Sequence, residues 1–367
     1  MLLKRTALAT ALTLTTSSAM AVSQAEFDEL KAQFEAMAEA MESNVSSGND
    51  VSIGGYGELH YNNFGDKGRN EIDFHRFVLY FNYEFNDKVR LFTELELEHS
   101  LAGEGKPGEV ELEQAYIQVD LDDYSTLNAG LFLMPVGILN ETHEPDTFYG
   151  VERNPVEARI IPTTWWEAGV MYSGRTDSGL SYDVALHSGL QSDPTNFSIR
   201  GGRQKVAEAT AEHLATTARI KYTGTAGLEL AATLHRQNDI TQVVGDGYDA
   251  ATLLQAHARW NSGPIGATAF YAMWDIDGAA AASTGADEQT GMYFEANYRI
   301  NDAFGVFARQ SIWDETAGSA ADTEKSQTNA GVNYWVHEHA VFKFDIQSQD
   351  ANAGDLDGFN LGVGYSF

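Results

Sequence analysis

From Val51 to the end of the chain, apolar and polar residues alternate with a period of two. Val51, Ile53, Gly55, Gly57, Leu59 and Tyr61 share one face of an extended segment, and Ser52, Tyr56, Glu58, His60 and Asn62 share the other. Successive side chains of a strand point to opposite faces, so this pattern marks a sheet with two unlike surfaces. It recurs in Val89, Leu91, Leu95 and Leu97 against Arg90, Glu94, Glu96 and Glu98. It returns in Met292, Phe294, Ala296, Tyr298 and Ile300 against Tyr293, Glu295, Asn297 and Arg299. Alternation does not say which face meets water, but the connections do. Short turns near 86–88, 122–124, 174–179, 223–227, 261–264, 301–302 and 337–339 take turns with long segments near 63–70, 99–109, 135–163, 190–213, 237–248, 276–289, 315–326 and 350–356. Seven short and eight long connections join sixteen strands. That rhythm predicts an all-β, antiparallel transmembrane barrel, apolar outside and polar inside, with both termini on the periplasmic side. A soluble sandwich of this length has Greek-key crossovers and no strict short–long order. The last segment places Phe359, Leu361, Val363, Tyr365 and Phe367 on one face, as regular as the first, which a strand that closes a barrel must be.

Ahead of the barrel the pattern differs. Lys4 and Arg5 precede a mildly apolar stretch, and Ala19-Met20-Ala21 supplies a small-x-small cleavage site, so residues 1–21 read as an export signal cut after Ala21. Over 22–43 the period is helical. Ser23 and Glu26 form a capping-box pattern, and Phe27, Leu30, Phe34, Met37 and Met41 make a heptad seam. A small periplasmic coiled coil, trimeric, and an amphipathic helix lying on its own barrel or on the membrane both fit this seam. Residues 44–50 form a linker, and 51–367 the barrel. With no cysteine in the chain, an exported protein of this kind is held by hydrogen bonds and packing alone. Once two of 23 bases leave with the signal, 21 remain against 53 acids, a net of −32. Nucleic acid is excluded as a partner, because binding it requires a basic footprint.

A barrel of about sixteen strands is wide enough for an aqueous channel, and selectivity requires something to narrow it. The connection at 135–163 is the longest and mixes charge with proline: Pro135, Glu141, His143, Glu144, Pro145, Asp146, Glu152, Arg153, Pro155, Glu157, Arg159 and Pro162. Connections of that length carry function more often than they serve as passive loops, so an inward fold forming the constriction is expected, against an external lid or a subunit contact. By strand phase Arg76, Arg90, Arg219, Lys221, Arg259, Arg299, Arg309 and Lys343 point inward, as do Glu58, Glu94, Glu96, Glu98, Asp120, Asp183, Glu229, Glu295 and Asp345. An Arg or Lys facing lipid at midplane costs roughly 2–4 kcal/mol, which supports that phase. These wall charges nearly cancel, unlike the chain as a whole. Other motifs are weak. Gly54-Gly55-Tyr56-Gly57 has no helix after it to cradle a phosphate. His337-Glu338-His339 sits in a short turn without a third ligand. No serine occupies a nucleophile elbow. Neither a cofactor, a resident metal nor catalysis is expected.

Four stretches resemble the phosphate-selective porin O/P family of Gram-negative outer membranes: Glu71-Ile72-Asp73-Phe74-His75-Arg76-Phe77, Glu113-Gln114-Ala115-Tyr116-Ile117, Gly130-Leu131-Phe132-Leu133-Met134-Pro135-Val136-Gly137, and Ile161-Pro162-Thr163-Thr164-Trp165-Trp166-Glu167-Ala168-Gly169. The resemblance implies a sixteen-stranded trimeric porin with an inward-folded third loop. It also implies a C-terminal strand read by the barrel-insertion machinery and contact with outer-membrane lipid and lipopolysaccharide. Phosphate-selecting members carry a ladder of arginines and a lysine cluster at the entrance. Lysines are few here and the loops around 141–146 and 314–324 are acidic, so passive diffusion of small hydrophilic solutes or ions is the expectation, with anion or phosphate selectivity as its alternative. A structural or adhesive barrel is the reading from another class.

Overall fold

The computed structural model describes residues 50–367 apart from 66–69, 102–104, 106, 245–248, 351, 353 and 355. The expected export signal at 1–21 and helix at 22–43 lie outside the described residues. Sixteen strands follow in order: β1 Val51–Asn63, β2 Glu71–Asn86, β3 Val89–Glu98, β4 Val110–Asp120, β5 Ser125–Leu133, β6 Trp166–Arg175, β7 Leu180–His187, β8 Ala215–Thr225, β9 Leu228–Gln237, β10 Ala251–Ser262, β11 Ile265–Ile276, β12 Glu288–Arg299, β13 Phe304–Asp314, β14 Lys325–His337, β15 Ala340–Gln349 and β16 Gly358–Ser366. Each pairs antiparallel with its neighbours in sequence, and β1 pairs with β16 to close the barrel. Closure leaves no open edge, which hydrocarbon would not tolerate. The ladder runs to the last residue, where the Phe367 amide donates to Gly55 O at 2.9 Å and the Gly55 amide to Phe367 O at 3.0 Å.

The alternation read from the sequence becomes two surfaces. Outward side chains such as Leu186, Phe294 and Ile346 are 46 %, 56 % and 55 % exposed although wholly apolar, as a lipid-facing belt must be. Near the short turns the belt turns aromatic, with Tyr182, Trp260, Tyr298, Phe304, Tyr334, Phe342 and Phe367 exposed, the interfacial girdle of a membrane barrel.

The inner surface departs from the expected polar lining. Phe270, Ala272, Trp274 and Ile276 of β11 and Leu253 of β10 point inward, and they bury with Met134, Val136, Ile138, Val156, Ile160, Ile161 and Trp165 in one apolar cluster. The lumen therefore contains a hydrophobic core, and segment 134–165 packs on it. Among the described residues two short α-helices accompany the strands: α1, Pro155–Arg159, inside this segment, and α2, Ala279–Thr284, in the loop after β11.

Candidate functional site

Segment 134–165 leaves β5 and crosses the inside of the barrel before entering β6. Its neck is tied by Asn140, whose Nδ2 donates to Met134 O and Trp165 O at 2.8 Å each while its Oδ1 accepts from the Trp165 amide at 2.7 Å. The loop then descends along the wall. Glu141 pairs with Arg219, which also meets Asp183 at 2.7 Å. His143 Nε2 lies 3.5 Å from both Glu94 and Glu113, Tyr80 donates to Glu144 at 3.3 Å, and Asp146 accepts from Ser366 at 2.5 Å. On its return the main chain is held by wall side chains. Lys343 donates to Gly150 O at 2.8 Å, and Asp345 accepts from the Val151 amide at 2.8 Å. Glu152 then reaches His60 at 3.0 Å and Asn62 at 2.9 Å.

α1 follows because Asn154 caps it, accepting from the Glu157 amide at 2.9 Å, and Pro155 opens it; a proline at the first helical position gives up no needed donor. The wall makes room for the helix. A Cβ on Gly291 of β12 would stand 2.8 Å from both Val156 and Ile160, closer than carbon atoms pack. Trp274 Nε1 donates to Ile160 O at 2.9 Å and fixes the helix end.

Glu157, expected among the pore-lining charges, faces no open space. It is fully buried and accepts from the Ile138 and Leu139 amides at 2.7 Å and from Tyr293 at 2.8 Å. Its part is to organise the loop. Arg159, by contrast, is exposed on the last turn of α1. Arg153 sits beside it, with Nη1 on Thr164 at 2.9 Å.

Nearly all the wall arginines expected inside have a carboxylate at hand. Arg76 meets Glu58 at 2.6 Å, Arg90 meets Asp120 at 2.5 Å, Arg309 meets Glu295 at 3.1 Å, and Arg259 meets Glu229 at 3.8 Å. Arg299 lies over the Trp335 ring at 3.6 Å, a cation–π contact. Each of the sixteen strands also contributes at least one buried inward side chain, from Glu58 on β1 to Asn360 on β16. Contacts of the loop reach β1–β4, β8, β9 and β11–β16. Open space remains on both sides. An outer recess of about 680 Å³ is lined by His60, His75, Glu152, Arg153, Arg159 and Lys325 among others. An inner one of about 900 Å³ is lined by Arg90, Asp120, Asp183, Arg219 and Lys221 among others.

Sequence reasoning missed a second inward segment, the loop 188–214. Phe197 and Ile199 join the apolar cluster, and Gln289 Nε2 donates to Phe197 O at 2.8 Å. Arg200 Nη1 donates to Ala158 O at 3.1 Å and Thr163 O at 2.7 Å, Arg203 Nη1 donates to Thr164 O at 2.5 Å, and Lys205 reaches Glu109 at 2.7 Å. Arg153, Arg159, Arg200 and Arg203 therefore gather around the turn 158–164. The available signal was Phe197 and Ile199, apolar residues inside an otherwise polar loop.

Comparison with known proteins agrees with this architecture. The family described as Phosphate-selective porin O and P matches residues 54–351. An uncharacterized protein of Aquifex aeolicus is 31 % identical, over 82 % of this chain and 76 % of that one. The outer-membrane channel DcaP of Acinetobacter baumannii superposes with a TM-score of 0.58 at 14 % identity, over 87 % of this chain and 97 % of that chain. OmpF of Salmonella typhi gives 0.58 at 13 %, over 87 % and 98 %. OmpT of Vibrio cholerae, solved in a trimer form, gives 0.57 at 13 %, over 86 % and 99 %.

Proposed function

The chain belongs to the phosphate-selective porin O and P family, and from that premise we propose that it forms a weakly selective channel whose constriction is segment 134–165. It is an outer-membrane porin, a diffusion channel for small solutes, in the Gram-negative outer membrane, and its family is one of channels rather than enzymes. The assembled form in this reading is a homotrimer, exported by a signal cut after Ala21 and inserted through its C-terminal strand. The constriction is read as the charged surface of the loop, Glu141, Glu144, Asp146, Glu152, Arg153 and Arg159, against Arg90, Arg259 and Arg299 of the wall, whereas His143, Arg76, Arg219 and Arg309 are buried and hold the loop and wall together.

Pairing supports weak selectivity. An arginine in contact with a carboxylate presents little net charge to a passing ion, and Arg76, Arg90, Arg219 and Arg309 are so placed. Selection by fixed charge needs rings of one uncompensated sign. A second reading, selectivity for anions such as phosphate, is favoured by the gathering at 158–164. There Arg200 and Arg203 bond to loop carbonyls rather than carboxylates, and burial together with the charges of Arg203, Arg153 and Arg159 draws the Arg200 pKa down to about 9. Reversal potentials across planar bilayers in gradients of potassium chloride and potassium phosphate decide between them. Weak selectivity gives values near each salt's free-diffusion potential, and a strong anion preference sinks it in favour of the second reading.

A further inference from the structure

The outer recess carries a cluster that the permeation path does not require. On its wall Asp73 and His75 of β2 meet His99, the first residue after β3. Asp73 Oδ2 lies 3.1 Å from His75 Nδ1, and both Asp73 oxygens lie 2.9 Å from His99 Nδ1. One ligand atom from each of the three residues lies within 4.8 Å of the others.

A departure from regular pairing creates this meeting. Glu58 of β1 faces Arg76, yet His60 faces Asp73, so two β2 residues, Phe74 and His75, stand opposite Leu59 alone. Such a bulge re-aims a side chain. Here His75 lines the recess although Arg76 beside it also faces inward. His99 then lies alongside, its amide donating to His75 O at 3.1 Å. His99, Ser100 and Leu101 all hold positive φ, 49°, 55° and 35°, a conformation that costs energy for residues with a side chain.

We propose that Asp73, His75 and His99 form a binding site for one late first-row divalent cation of the zinc type at the outer mouth of the pore. Two imidazoles and a carboxylate suit zinc, nickel or copper, whereas magnesium and calcium take oxygen ligands throughout. Ligands about 2.0–2.2 Å from a zinc ion stand roughly 3.4 Å apart in a tetrahedron. The two carboxylate–imidazole separations are already near that value, and the imidazole atoms lie within 4.8 Å of each other. Three protein ligands leave a fourth position, which opens on the recess. His60 stacks on His75 at 4.9 Å and is itself fixed between Glu58 and Glu152, at 3.0 Å from each. It therefore packs against the face of the His75 ring. Arg153, Arg159 and Lys325 line the same recess and oppose a cation, while Glu71, Glu152 and Glu315 favour one.

The test is Zn²⁺ titration of tag-free, metal-stripped porin in detergent, followed calorimetrically. The intact protein should bind one ion per chain saturably, and the His75→Gln/His99→Gln double variant should bind about tenfold more weakly or worse. His337→Gln/His339→Gln, which alters the histidine pair of a short turn, should leave binding intact. Heat-modifiable migration on gels reports assembly. If the double variant does not assemble, the nearly isosteric Asp73→Asn carries the same expectation. Binding of equal strength in the intact and altered sites, or none by the intact protein, overturns the proposal and leaves a self-satisfied hydrogen-bond cluster.

Discussion

At the scale of single residues, two side chains hold the loop through charge and act in opposite pH ranges. Burial opposes a charge on His143, but its contacts with Glu113 and Glu94 outweigh burial and lift its pKa from 6.5 to about 10. Burial likewise opposes a charge on Glu152, yet His60 and Asn62 bring it from 4.5 down to about 2. A raised imidazole contributes fully below 6.5 and loses its contribution as pH climbs through the folded value. A depressed carboxyl contributes fully above 4.5 and loses it as pH falls through the folded value. Both attachments are therefore complete between about pH 4.5 and 6.5, and the loop is held most firmly there. Single-channel current fluctuations should be smallest in that window and grow toward about pH 3 and pH 10; a flat profile would count against both attachments. These two residues stood out in the sequence as charges within a long loop, but their partners did not. Glu113, Glu94 and His60 come from other strands, and strand phase gives direction without distance. The bulge at Phe74–His75 was also beyond reach, because it breaks the very alternation used to read the strands.

Elements show where that alternation loses information. The run 267–274 of β11 is Ala-Thr-Ala-Phe-Tyr-Ala-Met-Trp, apolar on both faces, and a strand apolar on both faces is covered on both. It was the available sign that something packs inside the barrel against β11. The landing site for α1 is set by Gly291, and the Cβ contacts given above make it a test of docking. Gly291→Val suits a strand and leaves the ladder intact, but its side chain meets Val156 and Ile160. The expected result is a barrel with normal heat-modifiable migration, a displaced α1 and a larger conductance. Overpacking of this kind typically costs about 1–3 kcal/mol. Unchanged conductance in a correctly assembled variant would show that α1 does not limit the pore.

For the whole molecule, the short–long rhythm of connections was enough to give strand number and closure. The reason is physical: a barrel whose strands each pair with their neighbours in sequence has no further freedom of topology once strands are counted. Selectivity was far less legible, since it depends on which charges touch. Net charge said nothing of it, and the arginines named from phase proved to be mostly paired. That pairing is itself testable. Glu229→Gln/Glu295→Gln leaves Arg259 and Arg309 without their carboxylates while nearly preserving shape. The reversal potential should move toward anion preference relative to the unaltered channel, and no movement would show that pairing does not set selectivity. The docking surface for the loop also has a consequence for closure. Pro145 sits where a Cβ on Gly364 would clash, Val151 lies close against Gly362, and Asp146 is held by Ser366, so part of the loop's seat is built by β16. Because the same strand closes the barrel against β1, sealing the wall and seating the constriction depend on one element.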